Sequence, residues 1–168
     1  GILIFDEAHK LLDAARQMYG MTFDAAELEQ LVSSAYRSVS GISNRKEASL
    51  LCGELLRLNS LLFDVIRHEA GGHYDKGCQA FDFTTGSIRI LNALAAALGR
   101  LSVCFYLPRA GNAHKRLLNR MEQEQAKLSV LLDSSESICW LEYTGVSTYR
   151  LCTLPKALDF LLYEDIWN

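Results

Sequence analysis

From Asn44 to about His68 the chain keeps Leu50, Leu51, Leu55, Leu58, Leu61, Leu62, Val65 and Ile66 at helical spacing, over a stripe too wide for one neighbour. A long helix with such a stripe sits centrally in a bundle. Asn44 with Glu47 gives a capping signal at its start, and Gly71-Gly72 gives the stop. Similar segments lie on either side. Ala8 to Tyr19 carries Leu11, Leu12, Ala15 and Met18 on one face, with Gly20 as a C-cap. A helix opening at Asp24, with Glu27 three residues on, carries Leu28, Leu31, Val32, Ala35 and Val39. Gly86 to Leu107 carries Ile88, Leu91, Leu94, Ala95, Leu98, Leu101 and Phe105, and Pro108 ends it. Ala110 to Asp133 carries Leu117, Leu118, Met121, Leu128, Leu131 and Leu132, with charge on its opposite face. Between the third and fourth helices, Tyr74 to Phe83 reads as an irregular loop with aromatic anchors.

The period changes near both ends. Ile2-Leu3-Ile4-Phe5 is a short apolar run bounded by charge, as in a buried parallel strand. Ile138 to Tyr143 and Thr148 to Thr153 are rich in aromatic and branched residues and flank a turn containing Gly145. Pro155 suits the first turn of a last helix, Lys156 to Trp167. The expected fold is mainly α: a bundle of about five helices, with an N-terminal strand and a C-terminal β-hairpin plus helix from an incomplete α/β domain. A natural domain rarely opens inside its own sheet, so the chain reads as a piece of a larger protein. The strand Ile2 to Phe5 is then expected to pair with the hairpin, to pack against Leu154 to Leu162, or to mediate self-association.

With 168 residues the chain can bury one core, or one domain with an appendage. Its 49% hydrophobic and 22% charged content is that of a soluble globular protein. No apolar run approaches the ~20 residues of a membrane span, and no secretory signal opens the chain, so no membrane partner is expected. The net charge of −3 argues against a strongly basic surface overall, while leaving room for local patches. The five cysteines, Cys52, Cys78, Cys104, Cys139 and Cys152, are odd in number, widely spaced and without a C-x-x-C pair. They read as reduced, mostly buried thiols of a cytoplasmic protein.

The residues with the clearest chemistry are Asp6-Glu7-Ala8-His9, directly after the apolar run. Carboxylates at the C-terminal edge of a parallel strand stand where α/β sheets hold ligands. Nucleotide hydrolysis needs one carboxylate near Mg²⁺ and another to orient the attacking water, and Asp6 and Glu7 have the types and order for those tasks. An ordinary strand end with a surface Asp-Glu pair would look the same. No G-x-x-x-x-G-K-[ST] occurs, so the chain has no loop to cradle the β- and γ-phosphates.

Ile2 to His9 resembles motif II, the Walker B motif, of superfamily 2 helicases of the DEAH type. No Ser-Ala-Thr motif follows within the remaining residues. That spacing resembles a narrower group, the XPD-like and DinG-like DNA helicases, and the bacterial DinG-like branch in particular. These carry a helical Arch domain between motifs II and III. Asp6-Glu7-Ala8-His9-Lys10-Leu11 is typical of that group, and Trp140-Leu141-Glu142 with Leu154-Pro155-Lys156 resembles its return segment. The resemblance implies a motif II strand and helix over 1–20, an Arch-like domain over 21–136, and a return to the motor domain over 137–168. It also implies Asp6 on Mg²⁺ through water, Glu7 activating the hydrolytic water, and His9 coupling the nucleotide site to the motor. The parent would use ATP and Mg²⁺ to move along and unwind DNA, while the chain alone would be inactive. An iron–sulfur cluster, where the family has one, is ligated upstream of motif II, so none of the five cysteines inherits it. The alternative is a free-standing helical protein-interaction module in which Asp6-Glu7 is incidental.

Other signals compete. His68-Glu69-Ala70-Gly71-Gly72-His73 places its second histidine five residues on, about 140° around a helix, where zinc proteases need four. It reads as a surface helix end. Arg45, Lys46 and Arg57, with Lys115, Arg116 and Arg120, have the charge to contact phosphates of single-stranded DNA, which the Arch of the resembling family helps to enclose. Glu47, Glu54, Glu122 and Glu124 lie close in sequence, as on any solvated helix face. Trp140, Tyr143, Tyr149 and Trp167 read as packing aromatics rather than a base-stacking platform.

Overall fold

Five helices and one antiparallel sheet make up the fold in the computed structural model, which describes residues 11–70, 78–106, 111–133, 136–145, 148–158 and 160–161. The helices are α1 (Leu11–Tyr19), α2 (Ala25–Ser38), α3 (Arg45–Glu69), α4 (Thr85–Cys104) and α5 (Asn112–Leu132). The strands are β1 (Met21–Asp24), β2 (Cys78–Ala80), β3 (Ser137–Gly145) and β4 (Thr148–Pro155). The expected mainly α class with a C-terminal hairpin is what the chain adopts. Ile2 to Phe5, the glycine pair after α3, the tip of the hairpin and most of the last helix fall outside the described residues.

Helices α2 to α5 form an antiparallel four-helix bundle. α3 and α4 each pack on both of their sequence neighbours, and α5 closes the ring on α2. The short connections from α2 to α3 and from α4 to α5 favour antiparallel neighbours, while α3 reaches α4 through a longer segment that carries β2. Two ion pairs fix the directions: Arg100 near the end of α4 meets Glu47 at the start of α3 at 2.9 Å, and Lys127 of α5 meets Glu27 of α2 at 2.8 Å. The central position expected for α3 holds. It buries Leu51, Leu55, Leu58, Leu62 and Ile66 against neighbours on both sides. Each such burial contributes about 1.5–3 kcal/mol. α4 is long and apolar enough by length and composition to cross a membrane, although its sequence is not an unbroken apolar run. Its apolarity is used inside the bundle, where Leu91, Leu94, Ala97, Leu98 and Leu101 are buried.

The caps follow the expectations unevenly. Asp24 accepts from the Ala26 amide at 2.7 Å, as expected for an N-cap. Its partner Glu27 reaches Lys127 instead of closing a capping box. Asn44 makes no side-chain cap, and Glu47 is drawn off to Arg100. The one complete capping box among the described residues, Thr84 with Ser87, opens α4 at Thr85, one residue before the expected Gly86 start. α4 ends at Cys104.

The sheet runs β1-β4-β3-β2, and all neighbours are antiparallel. Two of its strands come from segments that read as connections. Met21–Asp24 pairs with Arg150–Thr153, and Cys78–Ala80 pairs with Trp140–Glu142. Three or four residues show too little alternation to be distinguished from a turn. Over these residues both edges of the hairpin are taken by β1 and β2, while Ile2 to Phe5, expected to pair there or pack elsewhere, lies outside the described residues. Pro155 is the last residue of β4, opposite Ser137, rather than the first turn of a helix. A strand end tolerates proline because no ladder donor is needed there.

α3 runs past the start of α2 and carries the bundle onto the sheet. Phe63 stacks on Phe23 of β1 with ring centroids 6.1 Å apart, and the Arg67 guanidinium lies 5.6 Å from the Tyr149 ring. Phe23, Leu141, Tyr149 and Leu151 put one face of the sheet into the common core. α1 lies against the other face, and Gly20 makes its sharp exit into β1. A Cβ at Gly20 would overlap the Arg16 carbonyl oxygen, which also accepts the Gly20 amide at 3.0 Å. Gly20→Ala must therefore shift backbone and should cost about 1–3 kcal/mol in urea unfolding. Gly41→Ala, with open space at its Cβ, is the matched control.

Candidate functional site

Asp6, Glu7 and His9 lie outside the described residues, so the candidate catalytic trio is known from its sequence alone. The six candidate nucleic-acid contacts are all described and all exposed. Arg45, Lys46 and Arg57 stand on α3, and Lys115, Arg116 and Arg120 on α5, diagonal helices of the bundle. Diagonal helices share no long face, but they do share ends. α2 finishes, α3 begins, α4 finishes and α5 begins at the end farthest from the sheet.

That end gathers Arg45, Lys46, Lys115 and Arg116, together with Arg37 and Arg100, which sequence reading did not single out. Over 34–52 and 98–120 the only acidic residue is Glu47, and it is spent on Arg100. Near the sheet the balance reverses, with Asp24, Glu27, Glu29, Asp64, Glu69, Asp82 and Asp133. A chain of net charge −3 thus has a basic tip. Arg57 is not part of it: 12 residues on from Arg45, it lies about 18 Å farther along the helix axis. Arg120 stands between, on a groove shared with Arg37, Gln30, Ser33 and Ser34 of α2. Tyr36, Leu50, Val103 and Tyr106 add exposed apolar surface to the same half. Only their position in three dimensions joins Arg37 and Arg100 to the other cations, since they sit on helix ends far apart in sequence.

A second polar cluster lies on the outer face of the sheet, under α1. Strand alternation turns Thr22, Trp140, Glu142, Arg150 and Cys152 to that face. The Arg150 Nε donates to Glu142 Oε2 at 2.9 Å, and the Cys152 thiol donates to the same oxygen at 3.4 Å. The Arg150 hydrogen bond holds the Glu142 carboxyl below the usual carboxylate range. Burial first, and then the Glu142 bond, pushes the Cys152 thiol up to about 12. The Arg16 guanidinium lies 4.8 Å from the Trp140 ring centre, a cation–π contact. Trp140 is thus a packing residue, as are Tyr143 and Tyr149, whose rings meet at 5.4 Å. Trp167 lies outside the described residues.

The thiols answer the expectation of mostly buried cysteines. Cys52, Cys104, Cys139 and Cys152 are buried and free, and Cys78 is exposed and free. Burial pushes Cys52 up to about 11. A thiol-specific chromogenic reagent should therefore titrate Cys78 rapidly in the native chain and the buried four only on unfolding. Cys78→Ser should remove the fast phase. Among the described residues no three His, Cys, Asp or Glu side chains come together to hold a metal ion. His68 is exposed in the last turn of α3, which ends at Glu69, and His73 is outside the described residues.

No protein-family model matches the sequence, and no curated protein matches it significantly.

Proposed function

We propose that the chain is part of an ATP-dependent DNA helicase of the XPD-like, DinG-like group, spanning motif II and an Arch-type helical insertion. The observation that carries this reading is Asp6-Glu7-Ala8-His9 after an apolar run. The four-helix bundle between α1 and the hairpin is consistent with an insertion at that point. In this reading Asp6 holds Mg²⁺ through water, Glu7 activates the hydrolytic water and His9 relays to the motor. ATP binding needs a phosphate-cradling loop from outside these 168 residues. The basic tip is the surface offered to single-stranded DNA.

The reading frame around this chain tests the proposal cheaply. A P-loop should be encoded upstream of residue 1, and a Ser-Ala-Thr or Ser-Gly-Thr motif soon after Asn168. Finding neither overturns it. In the intact protein Glu7→Gln should lower DNA-stimulated ATP turnover by at least 10²-fold, as loss of a positioned base does, while nucleotide binding persists. The isolated chain should turn over no ATP. The exposed Leu50, Val103 and Tyr106 favour a second reading, a helical protein-interaction module, which predicts neither flanking motif.

A further inference from the structure

Between α1 and the outer face of the sheet lies a concavity of about 320 Å³, lined by Arg16, Gln17, Met21, Thr22, Trp140 and Arg150 among others. Its donors outnumber their acceptors. The Arg16 guanidinium rests on Trp140 but makes no ion pair among the described residues. Arg150 commits only Nε to Glu142, which leaves its two terminal amino groups to donate. The Trp140 indole N–H is buried and has no acceptor among the described residues.

Among the described residues that line the concavity the charges are Arg16 and Arg150 against Glu142, with Asp24 acting on Arg150 from outside the lining, and Cys152 stays a neutral thiol. The net excess is one positive charge, held on planar forks suited to two-oxygen recognition. The Trp140 ring adds an apolar wall. We propose that this concavity is a binding site for a small organic oxyanion, a carboxylate or a phosphate monoester. Arg16 and the free end of Arg150 take its oxygens, and its apolar part lies against the edge of Trp140. The site is independent of the helicase reading, because none of its residues belongs to the DEAH segment or to the basic tip.

The test uses the full chain carrying Trp167→Phe, so that Trp140 is the one tryptophan. Phenylacetate and phenyl phosphate are titrated separately at fixed ionic strength, with sodium chloride as the control. The readouts are the Trp140 indole N–H resonance and its fluorescence. The expected result is a saturable change with at least one of the two, and the tighter of them identifies the oxyanion. Arg16→Gln should weaken binding at least tenfold. Glu142→Gln, which removes the opposing charge, should tighten it severalfold. Should Arg16→Gln perturb the circular dichroism, Arg16→Lys takes its place and should weaken binding at least threefold, because it lacks the planar fork. Changes that follow chloride equally, that do not saturate, or that ignore both Arg16 substitutions overturn the proposal.

Discussion

Phe23→Ala should lower the unfolding free energy by about 3–5 kcal/mol, the range for truncating a fully buried aromatic. Phe23 has 0% exposure, lies opposite Leu151 in the sheet and stacks on Phe63 of α3. It is the side chain through which a four-residue strand holds the sheet to the bundle. For a chain of this size the loss corresponds to a fall in melting temperature of about 6–20 °C. Urea unfolding of the variant should show a lower midpoint at unchanged slope. Met18→Ala, at a side chain 66% exposed, should change the midpoint little. Phe63→Ala should behave like Phe23→Ala, and the pair should couple by about 0.5–1.5 kcal/mol, the value of a stacked aromatic contact. Equal midpoints for Phe23→Ala and the parent chain would mean that the sheet does not depend on this contact.

The helices were legible because their signal is repeated many times over. α3 spans 25 residues and shows its stripe in full, and the hairpin shows two aromatic-rich runs around a glycine turn. β1 and β2 were hidden because a strand of three or four residues repeats its period at most twice. Their identity comes from the hairpin edges they cover, which is information held elsewhere in the chain. The caps fail for a related reason. Glu27 and Glu47 have the right spacing for capping boxes, but each finds a cation on a neighbouring helix, Lys127 and Arg100. Tertiary partners override a local preference worth about 1 kcal/mol.

The candidate site divides the same way. Asp6-Glu7-Ala8-His9 is contiguous, so the proposal built on it rests on four letters of sequence. The basic tip is assembled from four helix ends, and sequence reading grouped Arg57 with it while missing Arg37 and Arg100. The Arg16, Trp140 and Arg150 cluster joins a helix to two strands more than 120 residues away, and no local pattern marks it.

Neutralising the tip should produce the largest change in binding. If Arg45, Lys46, Lys115 and Arg116 each meet a phosphate of single-stranded DNA, each accounts for about 0.7 in the slope of log K against log salt. Changing all four to glutamine should then flatten the slope by about 3 and weaken binding at 50 mM salt by on the order of 10³-fold. The effect should be electrostatic alone, because all four are exposed and none belongs to the buried core. Surface substitutions of this kind leave stability nearly unchanged, so the melting temperature serves as the internal control. Arg57→Gln, about 18 Å along α3 from the tip, should leave both slope and affinity nearly as they were. Fluorescence anisotropy of a labelled oligonucleotide across a salt series reads all of these values. Binding that ignores salt, or that the fourfold variant retains while Arg57→Gln loses it, would move the DNA contact off the tip and onto the flank of α3.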